Sequence, residues 1–153
     1  MIDAPPTRIV LVDDNLPVCA ALKALIDSTE DLITVGVAHD GATGLALCLD
    51  LAPDLAVLDI SMPGGGPSLV RSLNEAMPNL HLLAFSGQPE EGVVLEMMDA
   101  GTLSYVAKGT KVEDLLRAIR RAAEGKMTVS PTVAPLVSRW MYDHNQKPPV
   151  EES

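Results

Sequence analysis

The chain has 153 residues, 47% of them hydrophobic, which suits one domain with its own core and excludes general disorder. A formal net charge of −10 argues against nucleic-acid binding by this chain itself, because holding a phosphate backbone takes a concentrated positive surface. The only aromatics are Phe85, Tyr105, Trp140 and Tyr142, so the core must be aliphatic.

In chain order, strands and helices alternate. Arg8 to Val12 reads as a strand. Asn15 to Thr29 reads as a helix whose Leu16, Cys19, Ala20, Leu22 and Ile26 mark an apolar side. Ile33 to Ala38 is a second strand, Gly41 to Leu51 a helix, Leu55 to Leu58 a third strand and Pro67 to Ala76 a helix. Leu80 to Phe85 is a fourth strand, Glu90 to Ala100 a helix, Ser104 to Ala107 a fifth strand and Val112 to Glu124 a fifth helix. Strand centres recur every ~25 residues, the spacing of βαβ crossovers in a parallel sheet with helices on both faces. The first, third and fourth strands are nearly pure aliphatic and belong in the centre. The second carries Thr34 and Gly36 and the fifth Ser104 and Tyr105, as at edges. That polarity favours the order 2-1-3-4-5, a flavodoxin-like (βα)5 sandwich whose switch point lies between strands one and three.

Chemistry gathers at that point. Strand one runs into Asp13-Asp14 and strand three into Asp59. Three carboxylates at neighbouring tips repel by roughly 4 kcal/mol per pair at 4 Å and an effective dielectric near 20, so they need protons or a cation. Hard oxygen ligands that leave room for water and phosphate suit Mg2+. Strand four ends at Ser86, presenting a hydroxyl, and strand five at Lys108, presenting an ammonium. Around one carboxylate these groups describe a phosphoryl-acceptor site, where catalysis is charge neutralisation and positioning. Taken singly each has a blander reading. Asp13 and Asp14 could cap the next helix, Ser86 could be a turn residue and Lys108 an exposed strand end. The run Gly64-Gly65-Gly66 lacks the ending of a phosphate-binding loop. His39, His81 and His144 are scattered and take no ligand or catalytic role. Cys19 and Cys48 have no metal or redox spacing and read as ordinary thiols.

Asp13-Asp14, the run Leu58-Asp59-Ile60-Ser61-Met62-Pro63, Ser86-Gly87, and Ala100-Gly101 leading into Tyr105-Val106-Ala107-Lys108 together resemble the receiver domain of two-component response regulators, over roughly Arg8 to Ser130. The resemblance implies that Asp59 is phosphorylated by a histidine kinase. It implies that Asp14 binds Mg2+ directly, Asp13 mostly through water, and that the Ser61 backbone carbonyl adds a ligand. Lys108 would pair with phosphoryl oxygens, Ser86 would reorient toward them, and Tyr105 would turn inward with it. The chain departs from the receiver pattern in having Gly109 after the lysine instead of proline, Ser at position 61, and a glycine-rich loop after Met62-Pro63. A haloacid dehalogenase-type phosphatase also uses a strand-end Asp with Mg2+, but wants a second acid where Ser61 stands. A phosphorylation-independent scaffold on the same fold is the third reading.

Basic residues are uneven: six of the eleven fall from Lys108 to Lys126. The fifth helix buries Leu115, Leu116, Ile119, Ala122 and Ala123, leaving Lys111, Arg117, Arg120 and Arg121 on other faces. The fourth offers Glu90, Glu91, Glu96 and Asp99. Acidic beside basic is self-complementary about a two-fold axis, so a phosphorylation-sensitive homodimer is expected here, against a plain solvated surface. After Gly125, an amphipathic linker helix is expected over 129–142, with Val133, Leu136, Val137, Trp140 and Met141 on one face despite Pro135. Trp140 must bury on its own receiver or on a partner. Residues 1–7 and 143–153 are expected to be disordered around a receiver at 8–128. Val35-Gly36-Val37-Ala38, Lys108-Gly109 and the stretch from Gly125 to Pro131 are similar to the NarL/FixJ branch, whose receivers precede a LuxR-type helix-turn-helix. No such DNA-binding module lies in this sequence, which reads as either an excised receiver or a single-domain form. Without a signal peptide or an apolar run of membrane-spanning length, a cytoplasmic location is expected.

Overall fold

The computed structural model describes residues 4–62, 64–87, 91–102, 104–131 and 133–144. Five parallel strands, β1 (Thr7–Val12), β2 (Leu32–Ala38), β3 (Leu55–Asp59), β4 (His81–Ser86) and β5 (Tyr105–Ala107), form one sheet in the order β2-β1-β3-β4-β5. Between and after them run α1 (Leu16–Asp27), α2 (Gly41–Leu51), α3 (Gly66–Ala76), α4 (Glu91–Ala100), α5 (Val112–Ala123) and α6 (Ala134–Asp143). This is the flavodoxin-like architecture that the aliphatic strand pattern predicts.

Period-two alternation along the strands divides the core in two. Ile9, Leu11, Val57, Leu83 and Val106 pack with Leu22 and Ile26 of α1 and Leu115 and Ile119 of α5. Val10, Val12, Ala56, Leu58 and Ala84 face the other way and pack with α2, α3, α4 and α6. Two expected members of the α1 stripe differ: Leu16 and Ala20 are exposed, because Leu16 opens the helix and the buried line runs through Cys19, Leu22 and Ile26. Cys19 and Cys48 are free and fully buried.

Beyond α5 the chain does not go straight into a helix. Gly125 takes a left-handed φ of 78°, and Lys126 N–H bonds the Arg121 carbonyl while Gly125 N–H bonds that of Ala122, a Schellman stop. The next residues then run along the open edge of β5. Tyr105 N–H donates to the Thr128 carbonyl (2.8 Å), Ser130 N–H to the Tyr105 carbonyl (2.9 Å), and Ala107 N–H to Ser130 Oγ (2.9 Å). An edge strand is thereby covered and its polar residues buried. The linker helix starts only at Ala134, later than residue 129, since 127–130 are spent on β5. Pro135 sits in its first turn, where an N–H would have no partner in any case.

Thr7 is not part of a loose start: it opens β1, its N–H on the Asp31 carbonyl at 2.8 Å. Likewise α6 extends one residue past the expected limit, to Asp143. His144 closes that helix, and residues 145–153 of the expected carboxyl-terminal tail, residues 1–3, Glu90 and Pro63 lie outside the described residues.

α6 packs on α4. Val133, Val137, Trp140 and Met141 are buried in the core shared with Val94, Met97 and Met98, so Trp140 goes into its own chain. Its indole N–H donates to Asp99 Oδ1 at 2.6 Å and its ring stacks on His144. Arg139 reaches Glu91 at 2.9 Å across the rim. Among the described residues, no helix is long and apolar enough to cross a membrane.

Candidate functional site

Strand order places the chemistry. β3 lies between β1 and β4, so the carboxyl-terminal tips of β1, β3 and β4 are neighbours, with β5 next to β4. Asp59 is the last residue of β3 and is 5% exposed. Its Oδ1 accepts the Ser61 N–H at 3.0 Å, turning the chain back over the strand end. Asp13, also 5% exposed, follows β1 and continues its pairing, its N–H on the Ala38 carbonyl at 3.0 Å. Its Oδ1 accepts the Asn15 N–H at 2.9 Å. Asn15, not either aspartate, then caps α1 by accepting the Val18 N–H at 3.1 Å. Asp14 is exposed beside them.

Lys108 follows β5, and its N–H bonds the Ser86 carbonyl at 2.6 Å. Its stem passes near the Phe85 ring, 5.8 Å from Nζ to the centroid. The ammonium ends 3.0 Å from Asp13 Oδ2 and 3.6 Å from Asp59 Oδ2. Carboxylate oxygens of Asp13, Asp14 and Asp59 lie within 4.8 Å of one another. One ammonium faces two buried acids, with the exposed Asp14 carboxylate beside them.

Burial pushes the Asp59 carboxyl above its ordinary value, and the Asp13 charge pushes the same way against the Ser61 N–H and Lys108. Burial acts to lower the Lys108 ammonium, yet its bonds and charge pairing with Asp13 and Asp59 prevail and raise it. Lys108 therefore stays charged and Asp59 is the acid that lacks full compensation. An all-oxygen donor set with excess negative charge, open to solvent on the Asp14 side, fits Mg2+ chemically.

Ser86 is wholly buried at the end of β4. Tyr105 is already turned into the core, 1% exposed. Burial raises its pKa, with the Ser86 side chain pulling the other way. The sequence thus brings together Asp13, Asp14, Asp59, Ser61, Ser86, Tyr105 and Lys108 at one end of the sheet.

Two contributors were not legible. Cys19 Sγ donates to the Asp13 carbonyl at 3.2 Å, and His39 Nδ1 lies 3.0 Å from the same oxygen, so both fix the backbone that presents Asp13. Neither spacing nor residue type signals this, since one comes from α1 and the other from the turn after β2.

The charged α4–α5 surface is differently placed. Glu96, Lys111 and Arg117 are exposed. Asp99 is taken by Trp140, and Arg121 bonds Thr128 Oγ1 and the Met127 carbonyl, both at 3.3 Å.

The response regulator receiver domain family matches residues 9–120. The nitrate/nitrite response regulator protein NarL of Escherichia coli K12 is 33% identical over 139 residues, 90% of this chain and 64% of that protein. Response regulator GacA of Pseudomonas aeruginosa is 30% identical over 128 residues, 83% of this chain and 60% of that protein. The chain thus spans less than two thirds of the length of these curated relatives. The crystal structure of a LuxR-family two-component response regulator from Aurantimonas sp. SI85-9A1 superposes with a TM-score of 0.81 at 27% identity, over 88% of this chain and 96% of that one.

Proposed function

This chain belongs to the response regulator receiver family, and we propose that within it Asp59 accepts a phosphoryl group from a histidine kinase in a Mg2+-dependent reaction. One observation carries the reading: Asp13, Asp14 and Asp59 converge at the sheet edge with Lys108 Nζ 3.0 and 3.6 Å from two of them. Asp59 Oδ attacks phosphorus, an O–P bond forms, and the N–P bond to the donor imidazole breaks. Lys108 holds the Asp59 carboxylate and, after transfer, donates to phosphoryl oxygens. The Ser61 N–H fixes the carboxylate plane through Oδ1. Asp13, Asp14, Asp59 and the Ser61 carbonyl would hold Mg2+, which when bound neutralises charge shared between carboxylates and phosphoryl oxygens.

Ser86 and Tyr105 form the switch pair of this proposal, and the module carries signal rather than metabolic turnover; water ends the signal by hydrolysing the acyl phosphate. The receiver runs over 8–128, with α6 as its linker helix. A homodimer through Glu96, Asp99, Lys111, Arg117 and Arg121 requires α6 to release Asp99, and sedimentation with and without phosphorylation reads it directly.

The decisive experiment incubates the protein with Mg2+ and acetyl phosphate and follows intact mass. Wild type gains one phosphoryl group and Asp59→Asn gains none. Labelling that persists at the same place in Asp59→Asn overturns the acceptor, and a wild type that never labels leaves a phosphorylation-independent scaffold.

A further inference from the structure

Gly41 opens α2 and is buried, and its φ lies outside the left-handed region, so backbone conformation gives no reason for a glycine there. Space does. A Cβ at Gly41 would overlap the carbonyl oxygen of Gly64, which rests directly on the start of the helix. Gly64 itself, at φ 70°, is the tip of the loop that leaves Asp59.

That loop is pressed on its other side against the strand end. Gly65 N–H bonds the Met62 carbonyl at 3.1 Å, and Met62 is buried in the core. A Cβ at Gly65 would come within 2.7 Å of Met62 Cγ and 3.2 Å of the Asp59 carbonyl oxygen. At Gly66, φ 65°, a Cβ would come within 3.1 Å of the Ile60 carbonyl oxygen. The glycine run is therefore no loose exit. It packs between α2 and the backbone of residues 59–62.

We infer that Gly41 is a positioning residue for the Asp59 site: its missing Cβ lets the Gly64 carbonyl seat on α2, and this seat holds the Ser61 backbone against Asp59 Oδ1. The inference deepens the proposed function and rests on it. Filling the seat displaces the loop and with it two functions of Ser61, the N–H on the acceptor carboxylate and the carbonyl assigned to Mg2+.

The test uses the full chain, Mg2+ alone and then acetyl phosphate, with backbone amide NMR as the readout. Gly41→Ala should move the Ser61 amide resonance, and should weaken Mg2+ binding and slow labelling by about tenfold each, the low end of what losing an outer-shell support costs a metal site. Ala46→Gly, exposed in the same helix, lowers helix propensity without touching the loop and should leave both within about twofold. An unmoved Ser61 amide with unchanged Mg2+ binding in Gly41→Ala overturns the inference, as does an equal loss in Ala46→Gly. Should Gly41→Ala not fold, Mg2+ titration of the wild type decides. Gly41 and Gly64 amides must shift together with Mg2+ occupancy, and a Gly41 amide that stays still refutes the seat. A wild type that binds no Mg2+ and takes no label refutes instead the function from which the inference starts.

Discussion

At the carboxyl-terminal ends of β1, β3 and β5, Asp13, Asp59 and Lys108 are delivered one per strand; pairing of β1 with β3 makes the two acids neighbours, and the long Lys108 side chain reaches them across the end of β4. On the α4–α6 face, by contrast, Trp140 meets Asp99 across 41 residues of sequence because an apolar helix folds back on another. The first region concentrates uncompensated charge and works against stability; the second buries aliphatic and aromatic surface and works for it. The candidate site sits where the fold is least satisfied, and α6 is held where it is best packed.

The largest expected effect breaks the second region without the first. Trp140→Ala removes a nearly buried indole and should cost about 3–5 kcal/mol of α6 docking. Amide exchange should quicken in α6 and α4 while acetyl phosphate labelling stays within about twofold. A large drop in labelling would show that the strap along β5 ties the two regions together.

A smaller effect probes the first region. Asp59 has a folded-state pKa raised above its unfolded value, so the folded protein holds its proton more tightly. In Mg2+-free buffer, stability should fall as pH rises from the ordinary carboxylate value, about 3.9, through the raised one. Asp59→Asn removes that decline, so the two melting curves should converge in acid and the variant should melt a few degrees higher at neutral pH. A variant that melts lower at neutral pH would mean that the bond to Lys108 outweighs burial and repulsion.

The smallest effect asks what holds α6 in place. Arg139–Glu91 is an exposed ion pair, so Arg139→Ala should change unfolding free energy by less than about 0.5 kcal/mol in urea titration. A larger loss would make charge, not apolar burial, the main attachment.

Much of this was legible because it follows from short-range pattern. Aliphatic strands at regular spacing dictate a parallel sheet, and the sheet order sets the strand-end acids side by side with a lysine long enough to reach them from β5. The sequence also announced an apolar face on α6. It could not say which surface the helix would cover, since both its own receiver and a partner offered apolar surface. Nor could it show that Tyr105 of the edge strand and Ser104 just before it are buried: that depends on 127–130 lying along β5.

The amino-acid sequence by itself determined the fold, the place of Asp59 at a strand end and the charges around it, because hydrophobic periodicity and strand-end residues are local quantities. Only the tertiary structure decided how those charges are held. The Asp13 carbonyl is fixed by Cys19 and His39, and the exit loop of Asp59 is seated on Gly41. These contacts join backbone to side chain or backbone to backbone between elements distant in sequence, and a pattern of residue types carries no record of such an approach until the helices are packed.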